Sequence, residues 1–485
     1  MELQEALRRF GCSSLRPGQR EAFDMLLCGH DLLGVLPTGA GKSLCYQVPA
    51  LLLGGYTLVI SPLVALMRDQ VDKLNQKGIP AAMLDAGQTE AERNAAVDRA
   101  AQGRLKLLYI APERMASAAI QTLVQLHPPK LVVVDEAHCV LRWGESFRPV
   151  YLRIGPWLQA IQPRPQVCAM TATASPSLRR GIIRSLGMRR VRQLVLPVRR
   201  ENLIYQVLWT LHPQKSLHSL LSRHPNEKTL IYCPTRRMTE QTADWLAAKG
   251  YAAEAYHAGL ADEVRRGVEE RFRSGATSVL AATIAFGMGV DLPDIRLLVH
   301  LAPPASAEDY AQETGRAGRD GQPAVCVQLI HPQGCFLRTK LMQTAAEEAK
   351  SRGWRGCLQS RKRAGECDRM FDLLLRGECI PQGLERAFGQ HGRPCGRCSG
   401  CIRQGFALRG RLRRFRLSTA NKTGLRLWFL QVLCQRLQRQ CPRVRMPPVS
   451  QLVQAARTLN PALLTCSDPT CEAALREGLK MLRNM

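Results

Sequence analysis

No apolar run in the 485 residues reaches the ~20 needed to cross a bilayer as a helix. Its first residues lack the charged-then-apolar order of an export signal. An intracellular protein is expected, in the cytoplasm or nucleoid of a bacterium or the nucleus of a eukaryote. Internal repeats and long low-complexity segments are also missing, which argues against solenoids and extended disorder. Acidic residues are scarce: 40 Asp and Glu face 68 Lys and Arg, a formal charge of +28. Such an excess points to a polyanionic partner. Without a basic amphipathic anchor, nucleic acid is favoured over a membrane. The chain is too long for one core, and its 45% hydrophobic content is that of a folded protein of three or four domains.

Eighteen cysteines suggest a disulfide scaffold until their positions are read. Cys12, Cys28, Cys45, Cys139, Cys168, Cys233 and Cys326 are scattered through apolar or loop contexts, as buried thiols of an intracellular protein are. Only Cys395, Cys398 and Cys401, in Cys-Gly-Arg-Cys-Ser-Gly-Cys, have metal-ligand spacing.

Two short motifs carry the chemistry. Leu36 to Ser43 read Leu-Pro-Thr-Gly-Ala-Gly-Lys-Ser, after an apolar run and before a helical pattern. In that context the backbone N–H groups of Thr38, Gly39, Ala40, Gly41 and Lys42 can face phosphate oxygens. Lys42 would neutralise the β- and γ-phosphates of ATP, and the Ser43 hydroxyl would hold Mg²⁺. Leu131 to His138 read Leu-Val-Val-Val-Asp-Glu-Ala-His. Asp135, at the end of a buried-type strand, can reach the same Mg²⁺, and Glu136 can position the attacking water.

Strand and helix patterns alternate from Phe23 to about Gly187, with strands expected at 31–36, 57–60, 106–110, 131–134 and 166–170. This is the pattern of a parallel, doubly wound sheet with its chemistry at the C-terminal strand ends. After a basic connector, Arg189 to Arg200, a second alternation runs through 205–208, 229–233, 253–256, 278–281, 297–300 and 324–329. It has no phosphate loop of its own and reads as a partner lobe. The last 84 residues, 402–485, hold sixteen Lys and Arg against three Asp and Glu.

Across roughly residues 1–405 the arrangement resembles the RecQ family of superfamily 2 DNA helicases. The matching segments are Leu15-Arg16-Pro17-Gly18-Gln19 (motif 0), Ser61-Pro62-Leu63 with Asp69-Gln70 (Ia), and Ala111-Pro112-Glu113-Arg114 (Ib). Met170-Thr171-Ala172-Thr173-Ala174 (III), Ala285 to Asp291 (V) and Gln312 to Gly321 (VI) follow in order. The last, Gln-Glu-Thr-Gly-Arg-Ala-Gly-Arg-Asp-Gly, is the most specific. The resemblance implies that Gln19, assisted by Arg16, reads adenine. It also implies that Arg319, supported by Arg316, spreads positive charge over the departing γ-phosphate. Cys12 and Leu15 stand where the family usually places aromatic rings. Trp143 to Pro149 resemble the aromatic-rich loop that senses single-stranded DNA, with Trp143, Phe147 and Arg148 as DNA contacts. There Leu141-Arg142 and Glu145-Ser146 replace the usual Ser-Gln and His-Asp.

The implied architecture is α/β: two tandem RecA-like parallel-sheet lobes, 1–190 and 201–345. A helical zinc-binding module over 346–405 follows, then a basic, mainly helical domain over 406–485, either a trimmed winged helix or a helix-turn-helix. Zn²⁺ would complete its tetrahedron on Cys379, Cys367, Cys357 or His391. The family places its first ligand nine residues before a Phe-Gly pair, as Cys379 precedes Phe388-Gly389, with Cys367 the runner-up. In the tail Arg411, Arg413 and Arg414, flanked by Arg409 and Arg416, form either a phosphate-contacting stripe or a disordered basic arm. The expected activity is ATP-dependent, 3′-to-5′ translocation on single-stranded DNA with unwinding of duplex DNA in repair or recombination. Two alternatives stay open: an RNA helicase or non-unwinding translocase, and a zinc-stabilised DNA-binding protein with a nearly inactive nucleotide fold. The oligomeric state is open and compatible with a monomer.

Overall fold

A computed structural model of the chain describes residues 2–12, 14–85, 87–142, 149–287, 292–350, 353–402, 422–440 and 444–483. They fall into two compact units: residues up to 198 together with Ala387–Gln390, and the rest.

The first unit is built on seven parallel strands: β1 (Leu32–Val35), β2 (Thr57–Ile60), β3 (Ala81–Leu84), β4 (Leu107–Ile110), β5 (Leu131–Val134), β6 (Gln166–Thr171) and β7 (Arg192–Val195). Their order is β3-β4-β2-β5-β6-β1-β7, with helical crossovers between them. Central strands such as Leu-Val-Val-Val are buried on both faces, which is why their sequence shows an unbroken apolar run rather than alternation. The period of two sorts them: Leu33, Val35, Val132 and Val134 join one core, and Leu32, Leu131 and Val133 join the core on the opposite face. Each such side chain contributes about 1.5–3 kcal/mol on burial. A carboxylate at Val133 would have no partner there and would break the sheet at its centre.

The second unit carries six parallel strands: β8 (Leu203–Trp209), β9 (Lys228–Tyr232), β10 (Ala253–Tyr256), β11 (Val279–Ala282), β12 (Ile295–His300) and β13 (Ala324–Ile330). Their order is β10-β11-β9-β12-β13-β8. Helices Pro332–Lys350, Gly353–Leu375 and Ile380–Ala387 follow, then Lys422–Gln440, Val449–Thr458 and Pro469–Leu482. The described part of the tail is mainly helical, as expected. Its helices are held by apolar contacts: Trp428 lies 5.6 Å from Phe371, and Phe429 lies 6.3 Å from Trp209, between ring centroids. Among the described residues of the tail there is no strand. Among the described residues no helix is long and apolar enough to cross a membrane.

All eleven expected strands form. Two more, β3 and β7, were not anticipated, and β7 lies inside the stretch read as a basic connector.

Candidate active site and metal centre

The phosphate loop joins β1 to the helix Lys42–Leu52. Gly39 and Gly41 adopt φ of +86° and +77°, a region that side chains with a Cβ rarely enter. At Gly41 a Cβ would also lie 2.4 Å from Gln19 Nε2. Gln19 is buried, and its amide is fully engaged. Oε1 accepts from Arg16 N at 2.9 Å, while Nε2 faces the carbonyls of Ala40 and Gly41 at 3.4 and 3.3 Å. The Arg16 guanidinium donates to Gly39 O. The motif 0 residues therefore grip the backbone of the loop.

Asp135 sits at the C-terminal end of β5, 8% exposed. Burial, then the neighbouring Glu136 charge, raises its pKa from 3.8 to about 6, with Lys42 opposing the shift. Glu136 adopts φ +47°, a strained conformation for a residue other than Gly or Asn. From there its carboxylate meets Lys42 Nζ at 3.6 Å and His138 Nδ1 at 3.2 Å. His138 Nδ1 also lies 3.1 Å from Thr171 Oγ1, which links this strand end to motif III. Burial works against a charge on His138, but the Cys139 sulfur and Glu136 carboxylate outweigh it and raise the pKa. The arrangement brings a lysine, a buried carboxylate and a second, partly buried carboxylate together at one strand end. Ser43 opens the same helix as Lys42. A divalent ion fits this donor set, since Lys42 and His138 only partly offset the cost of charging the buried carboxylate.

In the second unit Arg316 is 8% exposed, and its guanidinium packs on Gly287, where a Cβ would come within 2.4 Å. Arg319 lies three residues on, partly exposed. Several residues that support them were not anticipated. Arg200 donates to the carbonyls of Gly315 and Ala317 at 3.1 Å each and to Gly318, stapling the motif VI turn. His300 Nε2 meets Glu313 at 2.8 Å, and Tyr232 stacks on His300 with centroids 5.3 Å apart. The Tyr232 hydroxyl donates to Phe286 O at 3.1 Å. Tyr232 and His300 are marked in the sequence only by their place at strand ends, and Arg200 only as one cation of the basic connector, signals too weak to single them out.

Cys379, Cys395, Cys398 and Cys401 bring four Sγ atoms within 4.8 Å of one another. Tetrahedral Zn–S bonds of about 2.3 Å set S···S separations near 3.8 Å, and Cys395 and Cys401 lie 3.8 Å apart. Backbone N–H groups of Cys395 and Cys398 donate to Cys379 Sγ and Cys395 Sγ at 3.2 and 3.3 Å; burial still pushes the Cys379 thiol up, whereas against burial backbone bonds hold Cys395 below its ordinary value. The cluster is compatible with zinc. Cys367 is buried elsewhere on the helix Gly353–Leu375, and Cys357 and His391 are not in the group. The knuckle also covers a sheet edge: Ser399 N donates to Tyr205 O and Ser399 Oγ accepts from Val207 N, both on edge strand β8. Trp143, Phe147, Arg148, Arg409, Arg411, Arg413, Arg414 and Arg416 lie outside the described residues, as do the last four residues of motif V, 288–291.

Residues 16–180 match the DEAD/DEAH box helicase family and 213–321 the helicase conserved C-terminal domain. The ATP-dependent DNA helicase RecQ of Synechocystis is 42% identical over 337 residues, covering 68% of this chain and 70% of that protein. That of Pasteurella multocida is 37% identical over 394 residues, 81% of this chain and 61% of that one. The Xenopus laevis RecQ-like DNA helicase BLM is 41% identical over 335 residues, covering 66% of this chain and 24% of that one. The chain spans 61–65% of the length of the P. multocida, Haemophilus influenzae and Bacillus subtilis relatives. Among solved structures, the helicase MrfA bound to DNA and AMPPNP shares the fold at a TM-score of 0.58 and 20% identity, over 70% of this chain and 52% of that one. Yeast Dbp5 bound to RNA and ADP BeF3 does so at 0.57 and 17%, over 68% and 87%. With the motifs in order, the sheets in place and this degree of identity, the chain belongs to the RecQ family of helicases.

Proposed function

We propose that the chain hydrolyses ATP to translocate 3′ to 5′ along single-stranded DNA and to unwind duplex DNA in repair or recombination. The observation that carries this reading is the meeting of Lys42, Asp135 and Glu136 at one strand end, with Lys42 Nζ 3.6 Å from the Glu136 carboxylate. That carboxylate lies within ion-pair distance of the lysine. A γ-phosphate would draw on the same Lys42 charge, with Glu136 beside it to orient water. Ser43 and Asp135 would hold Mg²⁺, which supplies charge neutralisation at the phosphates. Thr38 to Lys42 offer backbone N–H groups to the phosphates, and Gln19 with Arg16 would read the base. Arg316 and Arg319 are assigned to the developing γ-phosphate charge by their place in motif VI. Trp143, Phe147 and Arg148 are assigned to single-stranded DNA, and Arg411, Arg413 and Arg414 to phosphate contacts in the tail. Cys379, Cys395, Cys398 and Cys401 would hold a structural Zn²⁺ with every position filled, leaving no open site for chemistry. The division into lobes 1–190 and 201–345, zinc module 346–405 and basic domain 406–485 belongs to the same proposal.

ATP turnover with and without single-stranded DNA, alongside Lys42→Ala, tests it, with strand displacement on forked and blunt duplexes as the second readout. Turnover should rise with single-stranded DNA and vanish in the variant. Indifference to DNA, or a fully active variant, would end the assignment.

A further inference from the structure

The first sheet has a second charged edge, opposite the one that carries the phosphate loop. Short segments lead into its seven strands: 77–80, 104–106, 54–56, 128–130, 163–165, 29–31 and 187–191, in sheet order. Asp31 is the only acidic residue among them. It is 3% exposed and fully used inside the fold, accepting from Arg164 Nη2 at 2.8 Å, Val167 N at 2.9 Å and Arg189 N at 2.6 Å. No Asp or Glu occurs from 146 to 200, whereas ten arginines fall between 149 and 200.

The exposed cations along this edge are Lys77, which donates to Phe10 O, and Arg104, Lys130, Arg184, Arg189, Arg190 and Arg192. None of them pairs with a carboxylate among the described residues. The carboxylates within about one turn of the helix ends on this side are Asp72, Asp98 and Asp24, the last already paired with Arg20. Backbone hydrogen bonds hold the edge in line. Lys130 N donates to Tyr56 O, Gln166 N to Lys130 O and Arg192 N to Asp31 O. From β4 to β7 the row crosses five strand spacings, about 24 Å.

The densest part is held by backbone hydrogen bonds. After the helix Pro176–Ser185 the chain turns at Gly187, Met188 N closes the helix end on Ile183 O, and Asp31 clamps the Arg189 amide. Arg190 then adopts φ +47°, an uncommon conformation for arginine, before the chain enters β7. Three adjacent guanidinium groups are thus displayed from a fixed turn.

We propose that this edge is a second phosphate-backbone site, which holds a segment of duplex DNA apart from the nucleotide chemistry. Arginine forks match phosphate oxygens in pairs. No Phe, Trp or Tyr is exposed in the patch, the only such residue in it being the buried Tyr56. The patch therefore offers nothing for unstacked bases and fits a duplex, whose accessible anions are its phosphates. A 24 Å track faces about seven phosphates of one strand at 3.4 Å rise. The choice of DNA as the polyanion rests on the helicase reading.

Binding of a blunt, labelled duplex to the full chain, followed by fluorescence anisotropy over a salt series, tests the proposal. The variant Arg189→Gln, Arg190→Asn, Arg192→Gln keeps the Asp31 backbone clamp, and Asn tolerates positive φ. It should flatten the slope of log K against log [salt] by about 3. The Arg→Lys triple should keep most of that slope, and turnover on a short single-stranded oligonucleotide should be unchanged in both. An unchanged slope in the neutral variant overturns the proposal. So does patch-dependent binding of phosphatidylserine vesicles without patch-dependent binding of the duplex. If turnover is absent in every form yet the slope still flattens, the helicase reading fails and the duplex site stands.

Discussion

Replacing Asp135 by Asn should abolish turnover and stabilise the nucleotide-free protein. Asp135 is almost fully buried, and its pKa rises from 3.8 to about 6 on folding, chiefly because burial disfavours its charge. A carboxylate shifted upward supports the fold only while protonated. That contribution is intact below the unfolded value near 4 and is lost as pH climbs through about 6. Roughly two pH units at 1.36 kcal/mol each give a cost of about 3 kcal/mol at pH 8, falling to about 1 kcal/mol near pH 4.5. Asn keeps the shape and can still accept the Glu136 N–H, which lies 3.0 Å from Oδ1. The variant's advantage in urea or thermal unfolding should therefore grow with pH, to a shift of about 5–10 °C at pH 8 for a unit of this size. Mg²⁺ with a non-hydrolysable nucleotide should reverse the order by stabilising only the native carboxylate. Equal stabilities at pH 8, or an advantage independent of pH, would refute the buried-charge argument.

Gly41→Ala should lose ATP binding by tenfold or more in a fluorescent-nucleotide titration, since its Cβ meets Gln19 and its φ is +77°. Arg200→Ala removes the donors to the carbonyls of Gly315, Ala317 and Gly318, so kcat should fall about tenfold with little change in KM for ATP. If Zn²⁺ holds the knuckle, chelation or Cys395→Ser should uncover edge strand β8. Hydrogen exchange at Val207, whose amide is bonded to Ser399, should then accelerate well before the central strands respond.

What was legible in the sequence follows from how each element is stabilised. Strands buried on both faces, such as β2 and β5, show continuous apolar runs and lie where expected to the residue. The missed β7 reads Arg-Gln-Leu-Val with its first half exposed, because it pairs only with β1 at the sheet edge. Hydropathy cannot show a strand held by one ladder of backbone bonds. The missed β3 is buried, but its Ala-Ala-Met-Leu composition favours helix over strand. The phosphate loop and the acidic strand end were legible because their chemistry fixes residue types at fixed spacing. The cysteine cluster was legible as three ligands by spacing. Its fourth member needed either the family pattern or the fold, because a helical run follows both Cys379 and Cys367.

The departures at motif 0 show what spacing alone misses. Cys12 and Leu15 stand where aromatic rings are usual, and both pack against the core that also receives Phe10 and Phe23. At these positions side chains complete the packing under the loop. Gln19, whose amide would read the base, has its acceptor taken by Arg16 N and its donor shared between two loop carbonyls. To meet adenine the amide must give up bonds that hold Ala40 and Gly41. If Gln19 reads the base, base recognition and the conformation of the phosphate loop are one equilibrium. Gln19→Ala should accordingly weaken binding of inorganic triphosphate, which has no base, as well as ATP. A purely base-reading glutamine would spare the former.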